Sequence, residues 1–309
     1  MRALCARHPP RVYAGAVNDL QIDEQPQLDR PILLAAWSGW NDAGESATGA
    51  LRFMLRRWRS KAIAHIDPET FYDFTQARPR VRLEEGERVL DWPQNEFSPH
   101  QRAGSDPDIV VMLGIEPHLA WNTYSDAIVE FCKTFEIGHV ITLGALLAEA
   151  SHARPIAVSG SSEDPDFRML LGLPEPRPGG YEGPTGIVGV INNRLRDEGL
   201  KTASMWANVP HYVNASPNPK GALALLEQLN ESLSLDLSLH DLEVFAARFD
   251  AQVGAEIAKN PEMVDYARRI EEQLDAEEEA GGEPEGELPD AQDMVDELER
   301  FLRQQRDSD

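Results

Sequence analysis

Cysteine is nearly missing from this 309-residue chain, which has only Cys5 and Cys132. Two thiols make neither a disulfide framework nor a metal cluster, and they read as free cysteines in a reducing compartment. Long apolar runs are missing as well. No stretch approaches the ~18 residues of a membrane span, and the N-terminal MRALCARHPPRVY has no apolar signal core, so a soluble cytoplasmic protein is expected. Positive charge is scarce: 29 Lys and Arg face 53 Asp and Glu, a net of -24. Such a chain does not neutralise phosphates, which excludes nucleic-acid binding and gives no affinity for an anionic membrane. The catalytic fingerprints are absent too: there is no G-x-S-x-G elbow, Walker loop, His-Glu-x-x-His or dinucleotide motif. No cofactor and no metal are expected.

What is present is ordinary globular material, 41% hydrophobic and 27% charged, with an uneven charge distribution. Residues 271–309 hold 16 acidic side chains against Arg300, Arg303 and Arg306, a net of -13 that leaves -11 on the first 270 residues. The central stretch is RPILLAAWSGWNDAGESATGALRFMLRRW, residues 30–58. Ile32 to Trp37 suits a strand covered on both faces; Ser38 to Gly44 breaks it with two glycines. From Glu45 the apolar residues Ala47, Ala50, Leu51, Met54, Leu55 and Trp58 take helical spacing. This strand–loop–helix opens an α/β unit.

The pattern continues along the chain. An edge strand is expected near Tyr13–Val17, a short strand at Ala62–Ile66, and an inserted hairpin near 79–92. Further strands are expected at Asp108–Gly114, His139–Leu143, Pro155–Val158 and Thr202–Val209, with helices near Tyr124–Phe135, after Gly186 and at Pro219–Leu229. Residues 164–181 read as a long loop with one helical turn. The alternation predicts an α/β fold, a three-layer α/β/α sandwich on a mostly parallel sheet, spanning residues 1–234. Residues 235–275 read as a helical extension, 276–290 as a disordered acidic linker, and 291–309 as an amphipathic helix striped with Met294, Val295, Leu298, Phe301 and Leu302. That last helix needs a surface, either its own core or a neighbouring subunit.

Four blocks, WSGWNDAG (37–44), LGALLAE (143–149), GYEGPTGI (180–187) and WANVPHYVNASPNPKGAL (206–223), together resemble the proteasome assembly chaperone two (PAC2) family, in its bacterial, actinobacterial branch. The similarity spans about Tyr13 to the end, and the order of the blocks is more specific than any one of them. The resemblance implies a fold akin to phosphorylases and peptidyl hydrolases, a helical C-terminal extension, and self-association into a homo-oligomer. Eukaryotic and archaeal relatives assist assembly of proteasome α-rings, which implies proteasome-related or other protein partners. Archaeal relatives with a docking tail end in a hydrophobic residue, a tyrosine and one more residue; the ending Arg306-Asp307-Ser308-Asp309 does not offer that mode.

Site chemistry is argued apart from fold. The motif loops follow strands and are expected to open on one edge of the sheet, giving a shared pocket wall of Trp40, Asn41, Asp42, Gly44, Glu149, Thr185 and His211. For Asp42, a cap on the helix from Glu45 is preferred over a ligand role. For Thr185, an N-cap is preferred over an anion site, and for His211 a packed structural role is preferred. Glu149 with His152 is a candidate acid–base pair, weighed against a solvated loop. Glu116 and His118 are two ligand types but no metal site. Of Trp37 and Trp40, one is expected in the core and the other at a pocket or interface. Two functions remain: a non-enzymatic protein-binding chaperone or scaffold, and a small-molecule binder or hydrolase/phosphorylase-like enzyme using the strand-end cleft. The first is favoured.

Overall fold

The computed structural model describes residues 19–84, 86–104, 106–175, 183–213 and 215–279. The expected strand at Tyr13–Val17, the linker beyond Glu279 and the helix 291–309 lie outside these residues. Ten strands and seven α-helices are present among them: β1 (Leu20–Ile22), β2 (Ile32–Ser38), α1 (Ser46–Trp58), β3 (Ala64–Ile66), β4 (Arg80–Glu84), β5 (Glu87–Asp91), β6 (Asn95–His100), β7 (Ile109–Ile115), α2 (Trp121–Thr134), β8 (His139–Ala148), β9 (Val158–Ser162), α3 (Pro165–Leu170), α4 (Ile187–Asp197), β10 (Lys201–Pro210), α5 (Pro219–Leu233), α6 (His240–Ile257) and α7 (Pro261–Glu279).

Eight strands form one mixed sheet in the order β1-β3-β6-β7-β2-β8-β10-β9. The middle four, β7, β2, β8 and β10, run parallel, while β6, β3 and β1 on one flank and β9 on the other are antiparallel. The parallel part is thus the centre, where helices cover both faces. The alternation of side chains in β2 shows why. Ile32, Leu34 and Ala36 point into a core shared with α1 and α5, and Leu33, Ala35 and Trp37 into a second core shared with α2 and α4. The strand is apolar throughout because both of its faces are buried.

The structure differs from the sequence reading at three places. β8 runs on through Gly144 to Ala148, because it pairs residue for residue with β10 and the Trp206 ring lies over Gly144. β6, with Ser98 and Pro99, carries little strand propensity of its own and is held by pairing with β3 and β7. α7 continues to Glu279, four residues into the expected linker. The hairpin β4–β5 is a separate two-stranded sheet, as the alternation of Val81 and Leu83 predicts.

Candidate functional site

The loop after β2 lies at the C-terminal edge of the parallel strands, where open α/β sheets place ligands. Its backbone extends β2's neighbourhood toward β8: Ala145 N donates to Asn41 O at 2.8 Å, and Asp42 bridges Ala145. Asp42 is 6% exposed, and its carboxylate accepts from Ala47 N at 2.7 Å, Thr48 N at 3.2 Å and the Thr48 hydroxyl at 2.5 Å. Those amides open α1, whose flanking Glu45 has a left-handed backbone and no cap bond of its own. Asp42 therefore caps the helix from three residues further back. Burial raises its carboxyl above the usual range, outweighing the bonds from Thr48 and Ala47.

Glu116, just past β7, binds the loop to another helix. Its Oε1 accepts from Asn41 Nδ2 at 2.9 Å and from Ile187 N at 3.0 Å, and its Oε2 from Trp40 N at 3.2 Å. The first amide of α4 is thus taken by Glu116, not by Thr185. The Thr185 hydroxyl instead lies along its own turn, 3.4 Å from Gly186 O. Gly44 joins the third helix: its φ of +61° suits glycine, a Cβ there would sit 2.9 Å from Asn218 Cβ, and Asn218 N donates to Gly44 O at 2.7 Å. Asn218 in turn accepts from Lys220 N and Gly221 N, both at 3.1 Å, and caps α5. Of the helices rising from this edge, α1, α4 and α5 have their N-terminal amides filled by the chain's own side chains; α2 has no side-chain cap.

A buried polar chain supports the loop from below. Trp37 Nε1 donates to Tyr124 OH at 2.7 Å, Tyr124 OH donates to Asn95 Oδ1 at 2.7 Å, Asn95 Nδ2 donates to Tyr72 OH, and Tyr72 OH donates to Ile115 O at 2.5 Å. Burial pushes both tyrosines above their ordinary range. Trp37 is the core tryptophan at 1% exposure and Trp40 the outward one at 71%. Sequence reading passed over Asn95 and left Glu116 without a role. A carboxylate one residue past a buried strand was the available signal for Glu116; for Asn95, on a strand with few apolar residues, there was none.

The remaining candidates fall in a second neighbourhood at the ends of β8 and β10. His211 Nδ1 donates to Ala148 O at 3.0 Å, and its Nε2 meets Tyr266 OH of α7 at 2.7 Å. Glu149 is exposed, and its expected partner His152 turns to Tyr212 OH instead, at 2.8 Å from Nδ1. Burial, then the charge of Lys220, lowers the His152 pKa. His118 Nδ1 accepts from Asp73 N at 3.1 Å, away from Glu116. Among the described residues no group of three or more His, Cys, Asp or Glu could hold a metal. Cys132 is buried, its thiol pushed up to about 12 by desolvation, so it is inert packing. A depression of about 310 Å³ lies at the opposite edge of the sheet, lined by Asp29, Arg102, Asp106 and Asp108 among others.

The architecture is that of an α/β/α sandwich whose strand-end edge is closed by its own polar side chains and carries a helical extension. The chain belongs to the PAC2 family, whose pattern it matches over residues 36–257. It is similar to the PAC2 family protein from Streptomyces avermitilis, at 38% identity and a TM-score of 0.70, covering 76% of this chain and 99% of that one. It is likewise similar to the Mycobacterium tuberculosis proteasome-assembly chaperone homologue Rv2125, at 37% identity and a TM-score of 0.67, again covering 76% and 99%. PbaB of Pyrococcus furiosus, an archaeal proteasome activator, shares the fold at 16% identity and a TM-score of 0.62, with 76% and 97% covered. No protein of curated function matches. No helix among the described residues is long and apolar enough to cross a membrane.

Proposed function

We propose that the chain is a non-enzymatic protein-binding chaperone or scaffold that works as a cytoplasmic homo-oligomer with proteasome-related or other protein partners. The observation that carries this reading is the closure of the strand-end edge. Asp42, Glu116 and Asn218 occupy the amides of α1, α4 and α5, where an enzyme of this architecture would hold an anionic substrate. The hydrogen bonds of Asp42, Glu116 and Asn218 are made within the chain, and large apolar side chains face outward at that edge, Trp40 at 71%, Leu119 at 53% and Leu147 at 42% exposure. An exposed tryptophan on a braced loop suits an anchor for a protein partner. The descriptions of the relatives from Mycobacterium and Pyrococcus support the same direction.

Two measurements test it. Thermal-shift screening against nucleosides, inorganic phosphate and peptides is expected to leave the melting temperature unmoved; a clear rise with a nucleoside or phosphate would favour the small-molecule reading. Pull-down with the whole chain is expected to recover a proteasome subunit or another stable partner, and Trp40→Ala to lose it. Recovery of no partner by the wild type counts against the proposal.

A further inference from the structure

The last of the described helices, α7, buries little apolar surface and meets the core largely through charged and polar side chains. Of the 19 residues of α7, only Ala267 and Ile270 are buried hydrophobics. Its polar contacts include one guanidinium and one imidazole. Arg154, on the loop after β8, meets Glu271 at 2.8 Å through Nε, Glu278 at 2.7 Å through Nη1, and Asp275 through Nη2. Those carboxylates are spaced i, i+4, i+7 and so line one face of the helix. Nearer the start of α7, Tyr266 meets His211 at 2.7 Å and packs edge-on against the His211 and Tyr212 rings. Beside them Lys220 pairs with Asp250 of α6 at 3.0 Å. In a chain of net charge -24, this is a cationic receptor matched to an acidic helix.

A short turn separates α7 from the preceding helix. α6 is anchored to the core through Leu242, while α7 begins after Ala258, Lys259 and Asn260. Asn260 Oδ1 accepts from Glu262 N at 3.0 Å, and Pro261 prevents the two helices from merging into one. The single copy also leaves apolar side chains in water on this extension: Phe245 at 53%, Val264 at 44% and Val244 at 36% exposure.

We propose that the Arg154 surface is an exchange site, at which α7 of one copy docks onto the strand-end edge of a second copy. The occupant follows from charge complementarity: the acidic face that fits Arg154 is that of α7, and every other copy of the chain carries it. Exchange keeps each contact of the closed form, and it brings the extensions of two copies together so that Phe245, Val244 and Val264 can be covered. The inference deepens the self-association reading above and rests on it.

The test is charge reversal with complementation, read as mass by light scattering at micromolar concentration. The wild type is expected at a multiple of 34.4 kDa. Arg154→Glu alone, and the triple change Glu271→Arg, Asp275→Arg and Glu278→Arg alone, are each expected to fall to the single-chain mass. Mixed one to one, they are expected to regain the wild-type mass, since each supplies the helix that the other's receptor fits. All four changes in one chain restore the match and serve as the folding control, with wild-type mass expected. Single variants that keep the wild-type mass, or a mixture that stays at single-chain mass, would overturn the exchange while leaving self-association through another surface intact. A wild type at 34.4 kDa throughout would overturn both readings.

Discussion

Replacing Asp42 separates a structural carboxylate from a functional one. In Asp42→Ala the amides of Ala47 and Thr48 lose their acceptor at a position only 6% exposed; the Thr48 hydroxyl loses one too but can rotate. An orphaned buried donor costs about 1–3 kcal/mol and a lost helix cap about 1 kcal/mol, with overlap between the two, so a loss of about 2–4 kcal/mol is expected. For a domain of this size that lowers Tm by roughly 5–15 °C. Asp42→Asn keeps one acceptor but turns an amide donor toward Thr48, so an intermediate loss is expected. The pH dependence adds a second signature. Because burial raises the folded-state pKa of Asp42, its favourable contribution is complete where the group is protonated and is lost as pH rises through that raised value. The deficit of Asp42→Asn relative to wild type therefore shrinks between acid and neutral pH. Urea unfolding followed by tryptophan fluorescence at two pH values measures both effects. A midpoint unchanged or raised in Asp42→Ala would refute the capping role and return Asp42 to the list of ligand-binding groups.

Three other perturbations have definite outcomes. Glu116→Ala strands Asn41 Nδ2 and Ile187 N, and a loss of about 2–4 kcal/mol is expected with faster amide exchange at the start of α4; unchanged exchange there would refute the tie. Gly144→Ala places a methyl 2.4 Å from the Trp206 ring, so overpacking of about 1–3 kcal/mol is expected in denaturant unfolding, with the deficit recovered when Trp206 is also trimmed to Leu. His152 titrates below its ordinary value, so the neutral form is favoured by the fold, and its contribution is present above the unfolded-state pKa and lost as pH falls through the folded one. Thermal melts between pH 7.5 and 5 are therefore expected to lose less stability in His152→Gln than in wild type.

The strand–loop–helix at residues 30–58 was legible because its hydrophobic period changes from a continuous run to helical spacing within a few residues, and both patterns are enforced by burial. The flanks were less so. β9 is VSGSS, an edge strand whose hydrogen bonds to β10 hold residues that would read as a loop, which is why the expected strand at Pro155–Val158 lies several residues early. Gly144 looked like a strand end because glycine usually breaks a strand; here it makes room for an aromatic ring on the neighbouring strand, information that sits 62 residues away. The same distance hides the site. Asp42 reads as a cap from local spacing alone, whereas Glu116 reaches an amide 71 positions further along the chain, and no local pattern reports that.

The helix N-termini already occupied at the strand-end edge limit the anions it can hold. A helix N-terminus binds an anion only while its amides are free, and an acidic side chain placed on them excludes a second anion both by occupancy and by repulsion. Asp42 and Glu116 do this at α1 and α4, and Asn218 fills α5 without charge. The bonds spent there brace the Trp40 loop against β8, α4 and α5 together. A ring held out to solvent on a braced loop loses little freedom when it is covered, so under the function proposed above these polar groups would keep the partner-facing surface in shape.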